Sequence, residues 1–232
     1  AVQIPIIASI NCVSANEWVS FAKAVEQEGA DAIELNVSLL PSNPKMSSAD
    51  NEKKYAEILN CIGELVSIPL ALKMSHYSAS LANLIQKLSW LKKVAGFVLF
   101  NRYYTPDIDI ENMLVKSADM FSTPNEGCNS LRWIALLYGQ IDKDLVASTG
   151  VHESEGLVKQ LLAGAAAVQV VSTIYKNGVG QIPVMLAGLD EWMTRKSYTN
   201  LTEFRGKLSY EKAADPAVFE RTQFMKYYGG IS

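Results

Sequence analysis

The stretch Leu145–Gly178, LVASTGVHESEGLVKQLLAGAAAVQVVSTIYKNG, contains the pattern that decides the fold class. It predicts two short apolar strands, each followed by small or hydroxylated residues and the start of a helix. Those residues are Ser148, Thr149 and Gly150 at the first junction and Ser172 and Thr173 at the second. Free N–H groups at a helix N-terminus stabilise an anion wherever no bulky side chain blocks its approach. The two junctions therefore predict a phosphate-binding site.

The alternation of strand and helix extends over the rest of the chain. The predicted strands are Ile4–Ile10, Ala32–Asn36, Pro69–Met74, Gly96–Asn101, Leu145–Ser148 and Ala166–Val171. The predicted helices are Asn16–Glu28, Asp50–Val66, Ala79–Lys92, Ser130–Gln140, Glu153–Ala163 and Ile182–Arg195. Continuous apolar strands separated by helices predict an α/β fold whose parallel sheet is buried on both faces.

The number of predicted units indicates part of a TIM barrel. A closed (β/α)₈ barrel has eight βα units in about 250 residues, and only about six are predicted here. We expect a single domain over residues 1–232, with a helical tail over residues 196–232. We also expect roughly two further βα units to precede Ala1 in the intact protein, because an open sheet would expose two edges.

Composition narrows the class of ligand. The chain has 232 residues, 49% of them hydrophobic, and a formal net charge of −3. It shows no cluster of Lys and Arg of the kind that nucleic acid or an acidic membrane requires. We therefore expect a small-molecule ligand, no nucleic acid and no membrane; a homodimer stays open. Three widely spaced cysteines, Cys12, Cys61 and Cys128, indicate neither a disulfide framework nor a metal site and suit the cytoplasm.

Polar side chains follow the carboxyl ends of the predicted strands. In barrel enzymes those ends form the active site, so we expect the side chains to converge on one face. They are Ser9, Asn11, Asn36, Ser38, Lys73, Ser75, Asn101, Arg102, Thr149 and Ser172.

Several of these stretches resemble one enzyme family. The segments IPIIASINCVSANEWVSFAKAVEQEGADAIELNVS (4–38), IPLALKMS (68–75) and GFVLFNR (96–102) are similar to the FMN-dependent dihydroorotate dehydrogenases, particularly the cytosolic class. The first segment also resembles the pyrimidine-reducing domain of dihydropyrimidine dehydrogenase. AGLDEWMTRKSYTNLTEFRG (187–206) is similar to a dihydroorotate dehydrogenase-like branch. The resemblance implies an FMN oxidoreductase of pyrimidine metabolism that transfers hydride between a dihydropyrimidine-like substrate and the flavin.

The resemblance also implies roles for particular residues. The flavin phosphate would lie on the last two strand ends, where the family has Gly-Gly and Gly-Thr and this chain has Thr149-Gly150 and Val171-Ser172. Lys73 would approach the flavin pyrimidine edge, and its charge would stabilise reduced flavin. The alternative is a lysine whose stem is buried and whose ammonium reaches solvent. Ser9, Asn36 and Asn101 complete the implied cofactor set.

The substrate contacts implied by the family are only partly present. Asn36 and Asn101 would hold the pyrimidine ring, although asparagines at strand ends also cap turns. Arg102 would either contact an anionic substrate or pair with an acid such as Asp107. Gly127-Cys128 stands where the family has a Ser-Gly pair near the flavin phosphate.

The catalytic base of the family is absent from the sequence. The family has Cys or Ser where this chain has Leu39, followed by Leu40 and Pro41. Leucine cannot accept a proton, so the catalytic residue stays unknown and a barrel that binds FMN or another phosphorylated ligand without efficient turnover is the alternative function. Substitutes are His76, His152 and Cys12, each of which could equally be an ordinary surface or core residue.

Overall fold

The computed structural model describes residues 2–12 and 15–220, with only the backbone described for residues 15 and 16. Within that part of the chain, six parallel strands form one curled sheet, and two further strands, β5 (Pro106–Asp109) and β6 (Leu114–Ser117), form a separate hairpin. The strands of the curled sheet, in their order across it, are β1 (Ile7–Ile10), β2 (Ala32–Val37), β3 (Leu70–Met74), β4 (Val94–Leu99), β7 (Asp144–Ala147) and β8 (Ala167–Val168). The sheet is an open, partial TIM barrel, which confirms the predicted fold class and strand number.

Helices follow the strands and cover the outer face of the sheet. They are α1 (Ala15–Gln27), α2 (Ser48–Leu65), α3 (Leu81–Ser89), α4 (Gly127–Leu137), α5 (Ser154–Ala163), α6 (Ser172–Asn177) and α7 (Gln181–Arg195). The start of α2 is set by a capping box, in which the Ser47 side chain and the Asp50 side chain each accept from the other residue's backbone N–H. No helix in the described ranges is long and apolar enough to cross a membrane.

The two faces of the sheet have different chemistry. Successive residues of a strand point to opposite faces, so Ile33, Leu35 and Val37 pack into the core beneath the helices. Glu34 and Asn36 lie on the opposite face of the same strand, which lines the barrel interior. The interior is therefore polar toward the carboxyl ends of the strands.

The edge strands are shorter than predicted. The strand predicted over Ile4–Ile10 begins at Ile7, and the one predicted over Ala166–Val171 spans only Ala167–Val168. Each pairs with a neighbour on one side only, β1 with β2 and β8 with β7. Ile7 is 58% exposed. The prediction of burial on both faces is therefore wrong for the edge strand β1, because apolar character alone does not say which strands are central.

An antiparallel hairpin interrupts the βα pattern and was not predicted. Its strands are β5 (Pro106–Asp109) and β6 (Leu114–Ser117), and they form a separate two-stranded sheet. The hairpin is mostly exposed. An exposed hairpin needs no buried apolar run, so the hydrophobic pattern contains little signal for it.

The segment after α7 is not an extended helix over its described part. Residues 196–220 form turns and two short 3₁₀ helices, Leu201–Glu203 and Pro216–Phe219. Phe204 is fully buried there and packs against Val158, Leu161 and Leu189. The helical tail predicted for residues 196–232 therefore does not form over residues 196–220. The reason is that this segment packs against α5 and α7. Residues 221–232 lie outside the described residues.

Candidate active site

A cavity of about 200 Å³ lies at the carboxyl ends of the parallel strands. Most of the predicted site residues line it. They are Lys73, Asn101, Arg102, Thr149, Gly150, Val171 and Ser172. Side chains separated by up to 99 positions in the chain thus share one cavity, because parallel strands bring their carboxyl ends to one edge of the sheet.

Lys73 is held at this cavity by two partners, the buried Glu34 and the half-buried Gln169. Its Nζ atom donates to Oε1 of Gln169 over 2.9 Å and lies 3.7 Å from Oε1 of Glu34. Gln169 Nε2 donates to the other carboxylate oxygen of Glu34. Ser9 Oγ donates to Glu34 Oε1 over 2.6 Å. Ser9 therefore contacts the acid that faces Lys73 and joins the same interior network.

The two predicted asparagines contact each other directly. Asn101 Nδ2 donates to Asn36 Oδ1 over 2.9 Å and also to the hydroxyl of Ser38. Ser38 Oγ donates to Asn36 Oδ1 over 3.3 Å. Asn36 lies next to Lys73 in the sheet, because the two residues are paired in the register between β2 and β3. The pair leaves amide donors and acceptors near the lysine.

The turn after β7 has a geometry that requires glycine. Thr149 and Gly150 have φ angles of 76° and 81°, and a Cβ on Gly150 would come within 2.2 Å of the backbone nitrogen of Gly127. The Thr149 hydroxyl donates to the Phe100 carbonyl over 3.1 Å. The helix after the first junction, α5, begins at Ser154, within one residue of the predicted Glu153, and the turn packs against the start of α4.

The turn after β8 is surrounded by polar groups. The backbone N–H of Ser122 donates to Ser172 Oγ over 3.0 Å, and the Ser122 hydroxyl lies 3.1 Å from Nε2 of His152. Lys176 Nζ donates to the Ser122 carbonyl over 3.3 Å. Burial, followed by the charge of Lys176, lowers the pKa of His152. Val171 is 60% exposed at this turn, so its bulk does not fill the core.

A second cavity, of about 380 Å³, adjoins the first. The two cavities share Asn101, Arg102, Ser148 and Thr149. Five side chains with aromatic rings contribute to the wall of the second cavity: His76, Tyr77, Phe100, Tyr103 and Tyr104. The first cavity, with Lys73 and Gln169 in its wall, is therefore adjacent to a second one with several aromatic rings, here called the aromatic cavity.

Arg102 is paired with an acid that the sequence did not single out. Its Nε atom donates to Glu126 Oε2 over 2.8 Å, whereas Asp107 lies 3.7 Å from Lys116 across the hairpin. The predicted alternative partner Asp107 is therefore replaced by Glu126. Within the described residues, no group of three His, Cys, Asp or Glu side chains is arranged to hold a metal ion.

Comparison with known proteins identifies the family of the chain. The family model for dihydroorotate dehydrogenase matches residues 1–193. The chain belongs to the dihydroorotate dehydrogenase family. Family membership makes it a dihydroorotate dehydrogenase-like oxidoreductase by descent, in agreement with the resemblance in its strand-end motifs.

Individual relatives named as dihydroorotate dehydrogenases match most of the chain at low sequence identity. The chain is 25% identical over 206 residues to a Thermoplasma volcanium protein named dihydroorotate dehydrogenase B (NAD(+)), catalytic subunit, with 87% of this chain and 67% of the relative covered. It is 25% identical over 223 residues to the Lachancea kluyveri dihydroorotate dehydrogenase (fumarate), covering 88% and 68%. It is 24% identical over 223 residues to the Lactococcus lactis dihydroorotate dehydrogenase A (fumarate), covering 90% and 70%.

Leu39 lies apart from the cavity that Lys73 lines. Its half-buried side chain packs against the core, and it lines a small separate cavity with Pro41 and Tyr55. The Leu39 N–H donates to the Tyr55 hydroxyl over 3.4 Å. Burial raises the pKa of Tyr55 to about 12, so this hydroxyl stays protonated at neutral pH. Tyr55 is therefore no substitute for the base of the dihydroorotate dehydrogenase family.

The three predicted substitutes for the base lie in different places. His76 lines the aromatic cavity together with Asn101, and burial lowers its pKa. His152 contacts Ser122 at the turn after β8. Cys12 packs against the hydrophobic core, where burial raises its pKa. Cys128 is exposed on α4 and lines the aromatic cavity. Of these, His76 is the residue whose ring shares a cavity with a predicted substrate contact.

Sequence reasoning missed two members of the interior network, Glu34 and Gln169. A signal was present, because each is a polar residue within an apolar strand segment, AIELNV and AVQVV. In β2 the two-residue period places Glu34 on the same face as Asn36. The sequence did not show that Glu34 on β2 and Lys73 on β3 meet inside the barrel.

Proposed function

We propose that the protein is an FMN-dependent oxidoreductase that transfers hydride between a dihydropyrimidine-like substrate and the flavin. The observation that carries the proposal is the single cavity lined by Lys73, Asn101 and the two turns that follow β7 and β8. Membership of the dihydroorotate dehydrogenase family supports the redox chemistry. A cytoplasmic location and a homodimer remain predictions.

The residues present fit a phosphorylated, planar cofactor. The cavity that Lys73 lines is smaller than a typical cofactor site of about 300–1,000 Å³, but it shares four lining residues with the aromatic cavity of about 380 Å³. The Cβ position of Gly150 is filled by the Gly127 backbone, so packing explains this glycine, and the support for a phosphate here is that both turns line the same cavity. Since α6 has only six residues, the phosphate proposal depends on the turns and on the family rather than on a helix dipole.

Each strand-end residue then has a chemical role. Bound FMN would supply the hydride acceptor. Lys73 would hold a positive charge at the pyrimidine edge of the flavin, where reduction adds negative charge. Asn36 and Asn101 would hold the substrate ring together: their mutual contact uses the Asn101 N–H groups and the Asn36 oxygen, so Asn36 Nδ2 would donate to an imide edge and Asn101 Oδ1 would accept from it. Thr149, Gly150, Val171 and Ser172 would contact the phosphate end.

The proton step would use a residue other than the one the family uses. Leu39 has no group that accepts a proton. Burial lowers the pKa of His76, which keeps its imidazole neutral at pH 7 and able to accept a proton. Because His76 lines the cavity that Asn101 also lines, we place it first among the candidates for the base.

The second candidate function is a barrel that binds FMN or another phosphorylated ligand without efficient turnover. Leu39 favours it, because a missing general base typically costs ~10²–10⁴-fold in rate. The two candidates agree on cofactor binding and differ only in whether a substrate reduces the flavin.

Visible absorption spectra separate these outcomes. The protein as expressed should be yellow or take up added FMN. If the protein is an oxidoreductase, dihydropyrimidines such as dihydroorotate, added under anaerobic conditions, should bleach the flavin absorption band. Flavin that no dihydropyrimidine bleaches supports the second function. A folded protein that takes up no FMN overturns the flavin assignment.

A further inference from the structure

The buried carboxylate of Glu34 has no role in the function proposed above, although it is 3% exposed and lies in the barrel interior. We propose that Glu34 is a positioning residue that holds the Lys73 ammonium at the cavity and offsets part of its charge, and thereby sets how easily the bound flavin is reduced. The inference rests on the proposed function, because it assigns Lys73 to the flavin.

The geometry explains how Glu34 positions the lysine. Gln169 lies between the two charges: its Oε1 atom accepts from Lys73, and its Nε2 atom donates to Glu34. The amide cannot turn over without losing both hydrogen bonds, so its orientation is set by the two charged groups. Ser9 donates to the same carboxylate. The carboxylate therefore accepts from two neutral donors and faces one cation.

The network also joins the two edges of the open sheet. Ser9 belongs to β1 and Gln169 directly follows β8, and these are the terminal strands of the six-stranded sheet. Glu34 on β2 hydrogen-bonds to both. The charge of Lys73 is thus fixed relative to both walls of the cavity, which a flexible surface lysine would not achieve.

Burial makes the pair electrically significant. The Lys73 and Glu34 side chains are 15% and 4% exposed, and their charged atoms are 3.7 Å apart. Charges this buried are screened weakly, so each acts on any charge that develops in the adjacent cavity. Lys73 should favour the added negative charge of reduced flavin and Glu34 should oppose it. Removing Lys73 should therefore lower the flavin reduction potential, and removing Glu34 should raise it.

The first test uses the flavin-free protein and a double-mutant cycle. Glu34→Gln and Lys73→Met should each lower the Tm by at least about 6 °C, because each leaves one buried charge uncompensated. The Tm of the double variant should fall by no more than the Tm of the less stable single variant. The matched control is the exposed pair Lys53 and Glu57, where Lys53→Met and Glu57→Gln should be additive. Additive losses at Glu34 and Lys73 would overturn the inferred pairing.

The second test measures the flavin potential by anaerobic reductive titration after saturation with FMN. Glu34→Gln should raise the potential and Lys73→Met should lower it, whereas simple loosening of the site would move both variants in one direction. Gln169→Glu, at a half-buried position after the edge strand, adds a carboxylate and should lower the potential even if Glu34→Gln fails to fold.

The outcomes separate the two proposals. Wild-type protein that binds no FMN overturns the proposed function and, with it, the tuning of the flavin by Glu34. Wild-type protein that binds FMN, with variants whose potentials are unchanged or shift in the same direction, overturns only the role of Glu34.

Discussion

The Arg102 guanidinium donates to Glu126 over 2.8 Å and joins the end of β4 to the segment before α4. Its Nη1 atom also donates to the carbonyls of Asp119 and Met120 over 2.9 and 3.2 Å. One side chain thus fixes the connection that returns from the exposed hairpin to the cavity. The contacts are charge-assisted, and the Arg102 side chain is only 20% exposed.

Loss of this contact should destabilise the cavity wall. Arg102→Met keeps most of the apolar stem and removes the hydrogen bonds, so the free energy of unfolding should fall by about 1–2 kcal/mol, the lower end reflecting the partial exposure of Glu126. Urea denaturation measures it. Lys116→Met breaks the more exposed pair with Asp107 and should change the stability by less than about 0.5 kcal/mol. Equal effects of the two substitutions would contradict a structural role for Arg102.

The same pair predicts a pH dependence. Burial raises the pKa of Glu126, but hydrogen bonds from Arg102 and the Thr123 amide outweigh it and hold this pKa below its ordinary value of 4.5. Because the folded-state pKa is depressed, the stabilisation is present above pH 4.5 and is lost as the pH falls through the folded value. Wild-type protein should therefore lose more stability than Arg102→Met below pH 4.5. Denaturation midpoints at pH 6 and pH 4 measure the difference, and parallel losses would show that the pair does not couple to pH.

Gly150 should be intolerant of any side chain. A Cβ there would meet the Gly127 backbone nitrogen at 2.2 Å, and the φ angle of 81° adds strain. Gly150→Ala should lower the free energy of unfolding by more than about 3 kcal/mol. Gly29 has a φ of 88° and open space around its Cβ position, so Gly29→Ala should cost only about 1–2 kcal/mol. Equal losses for the two variants would mean that the turn moves aside to admit the methyl group.

Leu39→Cys tests whether the missing base limits activity. A thiol here restores the residue type that the family has at this sequence position, so any oxidation of dihydroorotate should rise by about 10²-fold in flavin-loaded protein if residue 39, which lines a separate cavity, reaches the bound substrate. Leu39→Ala removes a similar volume without adding a proton acceptor and serves as the control. Anaerobic bleaching rates measure the effect. No gain for Leu39→Cys over Leu39→Ala would show that the substrate differs or that Pro41 and other positions also block the reaction.

His76 should weaken the fold as the pH falls. Burial lowers its pKa from 6.5, so the unfolded chain binds the proton more readily and stability decreases as the pH falls below 6.5 toward the folded value. His76→Phe keeps ring contacts like those His76 makes with Tyr77 and Phe100, whose centroids lie 4.1 and 5.7 Å away. The variant should lose less stability than wild type between pH 7 and pH 5, as followed by thermal unfolding. An unchanged acid slope would place the pH dependence elsewhere, with His152 as the next candidate.

Local sequence pattern determined the central elements and the identity of most cavity residues. Leu70–Met74 formed nearly as predicted, because its apolar run is buried between two neighbouring strands and against helices. Lys73, Asn101, Thr149 and Ser172 were predictable as a group, since parallel strands place their carboxyl ends at one edge whatever the side-chain detail. Motif resemblance supplied the family, which the comparison with the family model then confirmed.

Only the tertiary structure decided which strands are edges and which polar groups meet. The shortening of β1 and β8 follows from having one neighbour each, a property of sheet order that no local window contains. The pairing of Arg102 with Glu126 in place of Asp107, and of Lys73 with Glu34 and Gln169, joins residues 24 to 96 positions apart. Sequence pattern reports which face of a strand a side chain occupies, whereas these contacts depend on the curl of the sheet and the path of its connections.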